Sequence, residues 1–224
     1  MPVLWFFPQS EYRPTEYVQA WLQFWFDEER RLSVARFFQQ KRLGRISLCW
    51  TVKRLGDGFL GKESELLKLL DEGKEAVDNA KSFTDLLLVE ARLTKRLYAL
   101  ICRVTGYGSF TRVKRGEGID AANRFLDHGN YLAYGLAATA TWVLGLPHAF
   151  AVMHGKTRRG GLVFDVADLI KDAIVMPEAF LAAMRGDNDQ GFRTACISEL
   201  MRTESLDFLL ETLKEAIQTE GGVL

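Results

Sequence analysis

Asp165 and Asp168 stand three residues apart, and His154 precedes them across the run Gly155-Lys156-Thr157-Arg158-Arg159-Gly160-Gly161. If a helix starts at Asp165, both carboxylates project from one side of it. A divalent cation requires that arrangement: oxygen ligands on one side, open positions for substrate on the other. Lys156, Arg158 and Arg159 lie in the glycine-rich loop, where guanidinium and ammonium groups suit phosphate oxygens. The same pattern also fits an N-cap at Asp165, with Asp168 favourably near the positive helix end and the basic loop a solvated turn. Spacing alone leaves both open.

The elements that must position these residues read as helices. Pro8 and Pro14 make residues 8–14 an extended lead-in. Thr15 can cap a helix whose apolar face carries Tyr17, Trp21, Phe24, Trp25 and Leu32, with helical pattern continuing to about Val52. Residues 62–80 predict a helix with Leu66, Leu67, Leu69, Leu70 and Val77 turned inward. Ser82 or Thr84 starts another that runs to about Val104, then residues 119–144, 165–185 and 190–218. Strands, if any, are short and near Leu162-Val163-Phe164. The expected fold is all-α, one multi-helix domain over residues 15–224, with residues 1–14 a short irregular N-terminal tail.

Composition narrows the function. The 224 residues carry 29 Lys and Arg against 29 Asp and Glu. Zero net charge argues against a polycation that binds nucleic acid everywhere, though local basic patches still act within roughly 10 Å. Cys49, Cys102 and Cys196 are far apart with no CxxC pair, so neither a disulfide framework nor a zinc site is expected, and a reducing cytoplasm fits. Residues 1–8 lack the basic start and cleavage site of a signal peptide. Residues 131–153 carry no charge, but Ala, Gly and Thr dominate them and Gly145-Leu146-Pro147-His148 interrupts. A buried central helix is expected there, and no membrane span.

Longer motifs go further. The stretch Asn123-Arg124-Phe125-Leu126-Asp127-His128-Gly129-Asn130-Tyr131-Leu132-Ala133-Tyr134-Gly135, then Gly145-Leu146-Pro147-His148, then His154 through Asp168, resembles the core of the CRISPR adaptation integrases, the Cas-one family. Residues 8–17, Pro-Gln-Ser-Glu-Tyr-Arg-Pro-Thr-Glu-Tyr, resemble subtype I-F. The resemblance runs from about Trp5 to beyond Phe180.

It implies a metal-dependent DNA endonuclease and integrase acting in spacer acquisition, with Mg²⁺ or Mn²⁺ as cofactor. It also implies a metal site of Glu90, His154 and Asp168, with Asp165 a nearby acidic residue. Glu90 lies in Leu88-Val89-Glu90-Ala91-Arg92 with Tyr98 two turns on, and it interrupts an apolar run where a buried carboxylate needs a partner or a cation. Lys156, Arg158 and Arg159 would then contact DNA phosphates. Lys41, Arg42, Arg45, Arg92, Lys95, Arg96, Arg112, Lys114 and Arg115 are further basic candidates. The implied partners are DNA, a second copy of the chain, and a Cas-two subunit, fused in subtype I-F to a Cas-three helicase–nuclease. Family members carry a β-rich domain ahead of the helices, of which residues 1–14 would be a remnant or linker. A second reading follows: a truncated, non-integrating, helical DNA-binding fragment.

Overall fold

The computed structural model describes residues 15–113, 120–155 and 159–220, and among them there are helices and turns but no strand. The lead-in at residues 1–14 lies outside the described residues.

The first helical stretch is two helices. Helix α1 (Glu16–Trp25) ends at Phe26, and Asp27 begins α2 (Glu28–Cys49) by accepting from the backbone N–H of Glu29 and Arg30 at 3.0 and 3.1 Å. An Asp N-cap of this kind satisfies backbone donors that the break between the helices leaves without a carbonyl four residues back. A short turn of helix, α3 (Val52–Leu55), leads to α4 (Glu63–Asn79). Ser82 caps α5 (Phe83–Thr105), and Gly106 closes it at φ +73°. Asp120 caps α6 (Ala121–Val143).

The chain from Gly161 onward departs most from expectation. Helix α7 (Gly161–Ile170) starts four residues before Asp165, behind Gly160 at φ +70°. Leu162-Val163-Phe164 is therefore helical, not a strand, and Asp165 is no N-cap. A short apolar run with one β-branched residue is ambiguous by pattern, and packing against α2 and α6 settles it. The helix then widens into a π-turn (Lys171–Val175) and resumes as α8 (Met176–Arg185). Residues 190–218 likewise divide, into α9 (Asp189–Arg202) and α10 (Ser205–Glu220), with Glu204 in the left-handed region at φ +48°.

Helices α2 and α6 flank the α7–π–α8 segment, and α5 packs on α4 and α8. Buried Trp21, Phe24, Phe38, Leu43 and Ile46 join Phe125, Ile170, Ile174 and Phe180 in one core. No helix among the described residues is long and apolar enough to cross a membrane.

Candidate active site

The carboxylate of Asp165 is buried and has four hydrogen-bonding contacts. One oxygen accepts the backbone N–H of Val152 and Met153 at 2.7 and 3.1 Å. The other accepts the N–H of His154 at 3.0 Å and faces His154 Nδ1 at 2.6 Å. The loop before His154 is further pinned by α1, whose Trp21 and Trp25 indoles donate to the carbonyls of Phe150 and Ala151. Asp165 thus orients the imidazole: with Nδ1–H given to the carboxylate, Nε2 is the ring nitrogen left to act. Nε2 lies 3.8 Å from Asp168. Burial lowers the pKa of His154, but the bond to Asp165 and the charges of Asp168, Asp165 and Glu90 outweigh it, and the net shift is upward.

Asp168 pairs with Lys171 one turn on. Lys171 also lies 5.4 Å from the Tyr134 ring, and its pKa is raised chiefly by Asp168 against the cost of burial. Glu90 approaches from α5. Burial pushes its carboxyl upward in pKa, Arg42 opposes that, and the charge of Asp168 adds to the rise. Its one ion pair among the described residues is with Arg42 at 4.0 Å, the outer limit of such a contact.

Glu90 and Asp168 line a cavity of about 170 Å³ with Arg42, Thr94, Tyr98, Arg112, Lys171 and Asp172. It adjoins a larger cleft of about 930 Å³ between α5 and residues 108–112, which adds Lys95, Arg103 and Phe110 to the lining. The structure therefore brings Glu90, His154, Asp165 and Asp168 into one region. Arg159 is exposed at the turn before α7, whereas Lys156 and Arg158 lie outside the described residues. Among the described residues no three His, Cys, Asp or Glu side chains stand close enough to cage a metal ion as placed.

Three participants were not read from the sequence as part of the site. Arg42, expected from the sequence among the basic residues that hold DNA, is 2% exposed and bound to Asp172, Gln39 and Thr94. A buried guanidinium needs a carboxylate beside it, and that partner lies 130 positions away, where no local pattern reveals it. Lys171 and Asp172 follow Asp168 closely, and their spacing to it was the available signal. Arg45 and Arg112 are also tied into the fold: Arg45 donates to the Thr203 carbonyl, and Arg112 pairs with Asp127 and donates to Asn123 Oδ1. Lys41 pairs with Glu215 and Arg96 with Glu72, while Arg92 and Lys95 are exposed on α5.

Comparison with known proteins gives the family and the fold. Residues 2–212 match the profile of the family described as CRISPR associated protein Cas1. The chain is 58% identical over 218 residues to the CRISPR-associated endonuclease Cas1 of Pseudomonas aeruginosa (strain UCBPP-PA14), covering 96% of this chain and 67% of that one. A Cas1 protein from Thermotoga maritima superposes with a TM-score of 0.72 at 16% identity, over 97% of this chain and 75% of that one. A casposase bound to an integration product gives 0.70 at 16% identity, over 93% and 67%. The chain thus spans about two thirds of the length of the Pseudomonas relative, and it belongs to the CRISPR-associated protein Cas1 family.

Proposed function

We propose that this chain carries the phosphodiester-cleaving and strand-transferring site of a CRISPR spacer-acquisition integrase. One observation carries the proposal: Glu90 from α5 and Asp168 from α7 line one small cavity beside a cleft with basic residues on its wall, and His154 Nε2 lies 3.8 Å from Asp168. The relatives support it, being named CRISPR-associated endonucleases, and so does a fold shared with a casposase captured on an integration product.

The donor types suit a hard divalent cation, Mg²⁺ or Mn²⁺, which Glu90, His154 Nε2 and Asp168 would hold. Glu90 in particular is a largely buried carboxylate whose one ion pair among the described residues is distant, which leaves charge for a cation to neutralise. A cation bound there would polarise a phosphoryl oxygen and lower the pKa of an attacking hydroxyl. The chain's own groups do the rest. Asp165 fixes the imidazole tautomer, and Lys171 places positive charge beside Asp168. Lys95 lines the cleft through which a DNA strand would reach the carboxylates. In strand transfer a DNA 3′-oxygen bonds to phosphorus as the phosphorus–oxygen bond of the target strand breaks, and water in place of the hydroxyl gives cleavage. Pairing with a second copy, and with a Cas-two subunit fused to a Cas-three helicase–nuclease, is part of the proposal on the strength of the family resemblance.

Glu90→Gln and Asp168→Asn test the site, because both keep side-chain size. Each should lower Mn²⁺-dependent cleavage of branched or duplex DNA by about 100-fold or more, a ligand loss weighing at least as much as an outer-shell change. DNA binding by filter retention should persist. Unchanged cleavage in Asp168→Asn would refute the assignment. Binding without cleavage in the parent chain would favour the reading of a non-integrating DNA-binding fragment.

A further inference from the structure

The π-turn has a clamp. In its wider ring the backbone N–H of Met176 donates to the carbonyl of Lys171, five residues back, which shifts α8 by one residue relative to α7. Three successive carbonyls of that turn take side-chain donors from a single short segment after α2. Trp50 Nε1 donates to the Asp172 carbonyl at 2.9 Å, Arg54 Nη1 to Ala173 at 2.8 Å, and Arg54 Nη2 to Ile174 at 2.8 Å. Trp50 is 2% exposed, and the Arg54 guanidinium is buried against Glu178 and Glu199 at 3.2 and 3.3 Å. None of these residues touches the cavity of Glu90 and Asp168.

The side chains of the same turn do touch it. Lys171 reaches Asp168, and Asp172 holds Arg42, which in turn faces Glu90. A π-turn is less favourable than an α-turn and persists where its surroundings impose it. The Asp172 residue is grasped on both sides, its carbonyl by Trp50 and its carboxylate by Arg42.

We propose that Trp50 and Arg54 are positioning residues: by binding the carbonyls of Asp172, Ala173 and Ile174 they hold the π-turn that sets Lys171 and Asp172 in the active site. The activity arm of its test rests on the function proposed above, and the other arms do not.

Trp50→Phe removes the N–H and keeps a smaller aromatic ring, and Arg54→Lys keeps the charge near Glu178 and Glu199 but loses the paired donors. Three quantities are read on the full chain. Hydrogen exchange by mass spectrometry should accelerate about tenfold in peptides covering residues 170–178 in Trp50→Phe, the weight of one buried hydrogen bond, with α4 and α10 unchanged. Acylation of Lys171, read by peptide mapping against exposed Lys53, should rise in both variants. Mn²⁺-dependent cleavage should lose kcat while KM for DNA holds. Exchange and acylation rates at parental values in Trp50→Phe would overturn the clamp, whatever the activity. Local exchange that rises with Lys171 acylation and kcat both unchanged would overturn the positioning role. A parent chain without cleavage would count against the proposed function alone, the exchange and acylation arms still deciding the clamp.

Discussion

Glu90 and His154 each hold a proton more tightly in the fold than their ordinary values imply. For Glu90 burial is the main cause. For His154 burial opposes the rise, and the bond to Asp165 with three surrounding carboxylates overcomes it. A group whose pKa is raised on folding stabilises fully below its unfolded value, and that contribution is lost as pH rises through the folded one. The metal-free chain should therefore lose thermal stability as pH climbs from about 6 to about 8, the range bracketing an upward-shifted imidazole. Mn²⁺ should reverse the trend, because it binds the deprotonated ligands. Thermal unfolding in chelator, compared with His154→Gln, checks this: parallel pH profiles would show that His154 does not titrate as described. The sequence named His154, Glu90 and Asp168, but only through long motifs, since two aspartates three apart fit a helix cap equally well. Arg42, Lys171 and Asp172 were missed as a network because a buried ion pair has no signature along the chain. Each partner looks like an ordinary surface charge until the fold brings α2 against the π-turn.

Helix α6 lies against the π-turn so closely that one of its residues can have no side chain. A Cβ on Gly129 would come within 2.4 Å of Val175 Cγ1 and 3.0 Å of Phe192 Cζ. Gly129→Ala should thus cost about 1–3 kcal/mol by overpacking. In the same helix Gly135 is exposed, and an added Cβ meets nothing within 4 Å. Gly135→Ala should stabilise by roughly 0.5–1 kcal/mol through helix propensity alone. Urea unfolding of both variants measures the contrast, and equal effects would mean that α6 does not seat on Val175. The helices themselves were legible: the Ser82 cap and the amphipathic faces of α4 and α5 follow from residue type and spacing. The joints were not. Residues 165–185 read as one helix because Lys-Asp-Ala-Ile-Val contains no breaker, and the π-turn there is held by Trp50 and Arg54 from more than a hundred residues away. The division of α1 from α2 had a local sign in Asp27, which was masked by the apolar period continuing through Phe24, Trp25 and Leu32.

Across the molecule charge balances to zero, yet its basic groups are unequally available. Arg42, Arg45, Arg54 and Arg112 are committed to carboxylates or carbonyls of the fold, so they stabilise elements and cannot be spared for phosphates. Arg92 and Lys95 on α5 and Arg159 before α7 are exposed, and Lys95 lines the cleft beside Glu90. A protein neutral overall gains little from long-range attraction, so its DNA affinity must come from a few close phosphate contacts. Each contact on duplex DNA releases counterions and contributes about −0.9 to the slope of log affinity against log salt. Replacing Arg158 and Arg159 together by Gln should flatten that slope by about 2. Replacing Arg45 and Arg54 by Gln should leave it unchanged, since those side chains bind carbonyls and carboxylates of the fold. Fluorescence anisotropy with a labelled duplex, titrated from about 50 to 200 mM salt, separates the two pairs. A slope unmoved by the loop pair, or flattened equally by the buried pair, would place the phosphate contacts elsewhere on the surface.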